Sequence, residues 1–114
     1  MDGALGRGLN RVVLVGCLGR APEMRYTPSG KPVTSFSIVT THNWISSNHQ
    51  IQEETDWFNV VVWGSLAEAC KQSLAQGQCV YVEGRIKTRR WNDENNDPHS
   101  WAEVVAQDVI SLSS

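Results

Sequence analysis

Residues 57–91, WFNVVVWGSLAEACKQSLAQGQCVYVEGRIKTRRW, hold two runs of period two on either side of a run of period 3.6. In the first, Phe58, Val60 and Val62 alternate with Trp57, Asn59, Val61 and Trp63. Alternation marks an extended chain with two unlike faces, and the wholly apolar set is expected to face a core. In the second, Val80, Val82, Gly84, Ile86 and Thr88 form the expected inner set, opposite Arg85, Lys87, Arg89 and Trp91. Arg90 breaks that parity and is expected where the strand leaves its sheet. Between the two runs, Leu66, Cys70 and Leu74 recur at i, i+4 and i+8, as along one face of a helix. Ser65 and Glu68 have the spacing of a capping box, and Gly77 supplies a C-terminal stop.

Working outward, residues 11–18, RVVLVGCL, are β-branched and apolar and read as a first strand. Pro22, Pro28, Gly30 and Pro32 then exclude a helix and place a turn around PSGK. Residues 33–41, VTSFSIVTT, read as a second strand, and the polar stretch 43–55 as a projecting hairpin loop. The run 57–64 is the third strand and the run from Gln78 the fourth. A polar loop, NDENNDPHS, precedes a fifth strand, WAEVVAQDVISL. Three strands, a helix and two strands is the connectivity of an all-β, five-stranded OB-fold Greek-key barrel with one helix between strands 3 and 4. The 114 residues fit a single domain, 1–114.

Composition narrows the function. With 40% hydrophobic and 19% charged residues the chain is an ordinary globular one. Cys17, Cys70 and Cys79 are an odd set without a CxxC pair, and His42, His49 and His99 have no zinc-site rhythm, so free thiols and no metal are expected. The N-terminal residues contain no apolar signal core, and no stretch approaches a membrane span of about 18 apolar residues. No GxSxG, HExxH, Walker A or GxGxxG occurs. Cys70 lies on the apolar helix stripe with no histidine beside it in sequence. No enzymatic activity and no cofactor are expected.

The formal net charge is -2, yet four cations crowd into residues 85–91. A local basic ladder is felt within a Debye length of about 8–10 Å, whatever the net charge. Beside it the alternation leaves Trp57, Trp63 and Trp91 on solvent faces, and Trp44 lies at a loop edge. Indoles stack on any base, and Lys and Arg meet phosphates and release counterions. Together they suit a single nucleic-acid strand. Trp101 is assigned to packing, the commonest role of a lone strand tryptophan. Single-stranded RNA would satisfy the same residues. An oligosaccharide would use the indoles but not the ladder.

On GLNRVVLVGCLGRAPEMRYTPSGKPV, TDWFNVVVWGSLAEACKQSLAQGQCVYVEGRIKTRRW and WAEVVAQDVISL, the chain resembles the bacterial and organellar single-stranded DNA-binding proteins (SSB) over residues 8–112. The resemblance implies an OB-fold homotetramer that wraps single-stranded DNA with little sequence preference in replication, recombination and repair. It places base stacking on Trp44, Trp57, Trp63 and Trp91, and phosphate contacts on Arg7, Arg11, Arg85, Lys87 and Arg89. It also implies a location in bacterial cytoplasm on the nucleoid, or in a mitochondrial or plastid matrix. Two departures stand out. Ser65 follows Gly64 where many relatives have lysine, and Asn59 holds a position that is basic in some, so a shallower salt dependence is expected. Family members commonly continue into a linker and an acidic tip that recruits replication and repair proteins. The sequence stops at Ser114, just after the fifth strand, either by truncation or for lack of a tail, so recruitment of replication and repair proteins through such a tip is left open. The full set of four tryptophans disfavours a resemblance to the tail-less adaptor, primosomal replication protein N.

Overall fold

The computed structural model describes residues 8–112. Its elements are β1 (Val12–Leu18), β2 (Glu23–Tyr26), β3 (Pro32–Ile45), β4 (Ile51–Trp63), α1 (Ser65–Ser73), β5 (Cys79–Asn92) and β6 (Pro98–Ser111). Neighbouring strands follow the order β1-β5-β6-β4-β3-β2, and β1 also pairs β3 through Cys17–Val39 and Leu18–Ile38. That last pairing closes β1, β5, β6, β4 and β3 into the five-stranded barrel expected from the sequence. The helix follows β4, the third of the barrel strands in chain order. Closure depends on a short parallel contact, Val60–Val104 and Val61–Val105, between β4 and β6; the other pairings are antiparallel.

Strand β2 was not expected. It lies outside the barrel and pairs Glu23–Tyr26 with Ser35–Pro32 of β3. With four residues and no fully buried side chain, it shows almost no alternation from which to read it.

The core is the inner set of the alternating runs. Leu18, Ile38, Val60, Val62, Val80 and Val82 are almost completely buried, with Leu14, Phe36, Val104 and Ala106 around them. Burying each aliphatic side chain contributes about 1.5–3 kcal/mol, which makes this cluster the main source of stability. Helix α1 covers one end of the barrel through Ala67 and Cys70, followed by Leu74 at its C-cap. The buried hydroxyl of Thr34 on β3 donates to the carbonyl of Ala67 at 2.7 Å and ties the helix to the barrel.

The capping box does not form. Gly64, at φ 74°, is the N-cap, and no side chain caps the helix. The backbone N–H groups of Ala67 and Glu68 bond to the Gly64 carbonyl instead. A left-handed turn directly after Trp63 leaves Ser65 inside the first turn of the helix, one position too late to cap it. The helix ends at Ser73, and Gly77, at φ 87°, serves in the turn that leads to β5.

Two long ribbons leave the barrel. β3 and β4 stay paired out to Ile45 and Ile51, so the polar stretch 43–55 is mostly strand, with a turn over residues 46–50. β5 and β6 stay paired out to Asn92 and Pro98. This extension corrects the expected inner set of β5: Val80, Val82 and Gly84 are buried, but Ile86 and Thr88 are exposed. Ile86 pairs with the buried Val104 of β6 yet is itself about half exposed, so burial along β5 stops at Gly84.

Candidate nucleic-acid interface

The outer faces of β4, β6 and β5 form one surface. Val61 of β4 pairs Val105 of β6, which pairs Arg85 of β5. Alternation therefore sets Trp57, Asn59 and Trp63 of β4 on the same side as Trp101 and Glu103 of β6 and as Arg85, Lys87, Arg89 and Trp91 of β5. The inner side of the same strands carries Val60, Val62, Val104 and Ala106. The barrel core thus fixes which side chains face outward.

The tryptophans are exposed: Trp44 by 42%, Trp57 by 60%, Trp63 by 41%, Trp91 by 48% and Trp101 by 46%. Trp57 and Trp63 lie six residues apart on one strand, about 20 Å at roughly 3.3 Å per residue. Trp57 rests over the backbone of Gly19 and against Val39. Trp44 belongs to β3 itself rather than to a loop edge, and Trp91 likewise lies within β5. By the register Val39–Trp57 and Trp44–Gln52, Trp44 lies on the opposite face of the β3–β4 ribbon from Trp57. Its ring stacks on His42 at 5.6 Å. Trp91 stacks on His99, its cross-strand neighbour, at 5.5 Å.

The cations divide into two kinds. Arg85 and Lys87 are exposed and have no ion pair among the described residues. Arg11 pairs with Glu83 at 2.8 Å and Arg89 with Glu103 at 2.8 Å. Arg7 lies outside the described residues. Asn10 holds the base of the ladder: its side-chain amide donates to the Ile86 carbonyl at 2.7 Å and accepts from the Ile86 N–H at 2.9 Å.

A cleft of about 490 Å³ opens on this surface, with Trp63, Asn59, Arg89, Trp101, Glu103 and Arg25 among its walls. It gathers Trp63 and Arg89 of the expected residues but not Trp44, Trp57 or Trp91, which stand on the ribbons or beyond its rim. Trp101 and Arg25 are additions. Arg25 sits on the unforeseen β2, whereas Trp101 was legible. The alternation used for β4 and β5, applied to β6, sets Trp101 and Glu103 opposite Ala102, Val104 and Ala106.

The single-strand binding protein family model matches residues 9–112. The chain belongs to this family. Among curated proteins, the SSB chain is similar to single-stranded DNA-binding protein 1 of Chlorobaculum tepidum, 41% identical over 111 residues that cover 96% of this chain and 68% of that protein. Among solved structures it is similar to the Plasmodium falciparum SSB in complex with ssDNA, with TM-score 0.87 and 28% identity over 99% of this chain and 100% of that one. A deletion mutant of the single-stranded DNA binding protein from Thermus aquaticus superposes with TM-score 0.83 and 31% identity, over 95% of this chain and 52% of that one.

Proposed function

We propose that this protein binds single-stranded DNA without regard to sequence, and so covers exposed strands during replication, recombination and repair. The observation that carries the reading is the continuous outer surface of β4, β6 and β5, where exposed indoles and a ladder of cations share one face over the barrel core. Its activity is binding rather than catalysis. In this reading Trp44, Trp57, Trp63 and Trp91 stack on bases, while Arg7, Arg11, Arg85, Lys87 and Arg89 meet phosphates. Stacking is sequence-tolerant because every base has a π-face. Close resemblance over its whole length to a family member solved with ssDNA supports the same conclusion.

Assembly into a homotetramer belongs to the proposal. It is supported by an apolar row across the outer face at the other end of the barrel, where Val15, Tyr81 and Ile110 are cross-strand partners on β1, β5 and β6. Val13, Val15 and Ile110 are each about half exposed, more than a solitary barrel would gain from leaving in water. Light scattering should give four times the chain mass; a monomer would refute this part.

The test of DNA binding is a tryptophan-fluorescence titration with oligo-dT at low and high salt. Deep quenching that saturates at a fixed nucleotide-to-protein ratio is the expected result. A folded, assembled protein whose fluorescence does not respond would overturn the reading.

A further inference from the structure

Trp101 has no role in the pattern that SSB resemblance supplies, and the sequence assigns it to packing. Its surroundings do not fit packing. It is as exposed as Trp91, whereas the inner positions of the same strand, Val104 and Ala106, are buried. Trp44 and Trp91 each have one ring face covered by an imidazole, but Trp101 has no ring contact among the described residues. It is paired directly with Arg89 of the cationic ladder, one cross-strand step from the Trp91–His99 pair. Diagonal neighbours of this kind lie about 7–8 Å apart. Trp101 also walls the cleft that Trp63 and Asn59 line from the β4 side.

Beside the indole, the guanidinium of Arg89 is already oriented. Its Nε donates to Oε1 of Glu103 at 2.8 Å, and the Glu103 side chain is 6% exposed against 52% for Arg89. Glu103 holds the guanidinium through Nε, and with half of its side chain exposed Arg89 stays open to a phosphate. A flat apolar face and a fixed cation on adjacent strands present the two chemistries of one nucleotide, a base and its phosphate.

We propose that Trp101, with Arg89 positioned by Glu103, is a further nucleotide subsite: the indole takes one base of the bound strand and the guanidinium its phosphate. The subsite lies on β6 between Trp91 and the Trp63 cleft, so the strand continues across the barrel from one to the other rather than skipping the gap. This rests on the single-stranded DNA reading above.

The test uses an oligo-dT of about 16 nucleotides, the upper end of the span of one OB-fold. Trp101→Ala should lower affinity by about 5- to 150-fold, as for loss of one stacked base, with the salt slope unchanged. Trp101→Phe should keep most of the affinity and lose part of the quenching amplitude. Wild-type affinity and quenching in Trp101→Ala, while Trp57→Ala weakens binding, would overturn the subsite and leave the function standing. Failure of the wild-type protein to bind would instead refute the function. If Trp101→Ala altered assembly while assembled protein bound DNA as before, the indole would serve subunit contact, and the subsite would again be overturned.

Discussion

The Nε of Arg89 donates to Oε1 of Glu103 at 2.8 Å, joining a half-exposed guanidinium to a carboxylate that is almost wholly buried. The pair is lopsided, so its two members do not fail alike. Arg89→Ala leaves the buried carboxylate without its charged partner and should destabilise the protein by about 1–3 kcal/mol. That is less than the roughly 3–5 kcal/mol of a fully buried pair, because water reaches the arginine side. Urea unfolding without DNA isolates this effect from any loss of phosphate contact. An unchanged midpoint in Arg89→Ala would show that the pair contributes nothing to folding.

Gly19 is the floor on which Trp57 rests. A methyl group at Gly19 would overlap Cζ3 of the indole and lie 2.7 Å from its Cη2 and 2.9 Å from Cγ2 of Val39. The indole is the movable party, being exposed, so Gly19→Ala should tilt it away and leave the barrel folded. Oligo-dT affinity should fall by up to about 1–3 kcal/mol, the worth of one stacked base. The melting temperature should change little. Wild-type affinity in a folded Gly19→Ala protein would mean that Trp57 does not need this seat.

The inner sets of β4 and β5 were legible because a barrel core imposes a strict period of two, and Val60, Val62, Val80 and Val82 obey it. The same rule failed at Ile86 and Thr88 because alternation reports two faces of a strand, not how far along it burial extends. β2 escaped because four residues between prolines carry too little pattern to read. The capping box misled because it is a statement about one turn, and the positive φ of Gly64 moved that turn by one residue. At the candidate interface, three indoles and the ladder followed from parity. Trp101 was lost to a rule about typical tryptophans, although its own strand placed it outside.

Ion pairing sorts the cations by how freely each can meet a phosphate. Arg85→Ala and Lys87→Ala should each flatten the dependence of log affinity on log salt by about one unit. Arg11→Ala should change it less, because Arg11 already partners Glu83 at 2.8 Å and a phosphate must compete with that carboxylate. Conversely, Asn59→Arg with Ser65→Lys should steepen the slope by up to about two units. Salt titrations of oligo-dT binding decide both points. Equal slopes for Arg11→Ala and Lys87→Ala would undo the ranking, and an unaltered slope in the double variant would remove the case for lost phosphate contacts.

Asp93 pins the turn that joins β5 to β6. Its Oδ1 accepts the N–H groups of Asn95 and Asp97, each at 2.9 Å, and its Oδ2 lies 2.8 Å from Nε2 of His99, the residue stacked on Trp91. The bond to His99, followed by that from the Asp97 backbone, holds the carboxyl below its ordinary value of 3.8. A depressed folded-state value means that the ionised carboxylate stabilises the turn above the ordinary value, and that this support is lost as pH falls through the lower one. Carboxyl-carbon NMR should therefore place the Asp93 midpoint below 3.8, with amide protection of Asn95 and Asp97 fading over the same interval. Asp93→Ala should show no such pH-linked change in protection and should loosen the His99 ring against Trp91 at neutral pH. A midpoint at or above 3.8 would mean that the carboxylate gains nothing from these bonds.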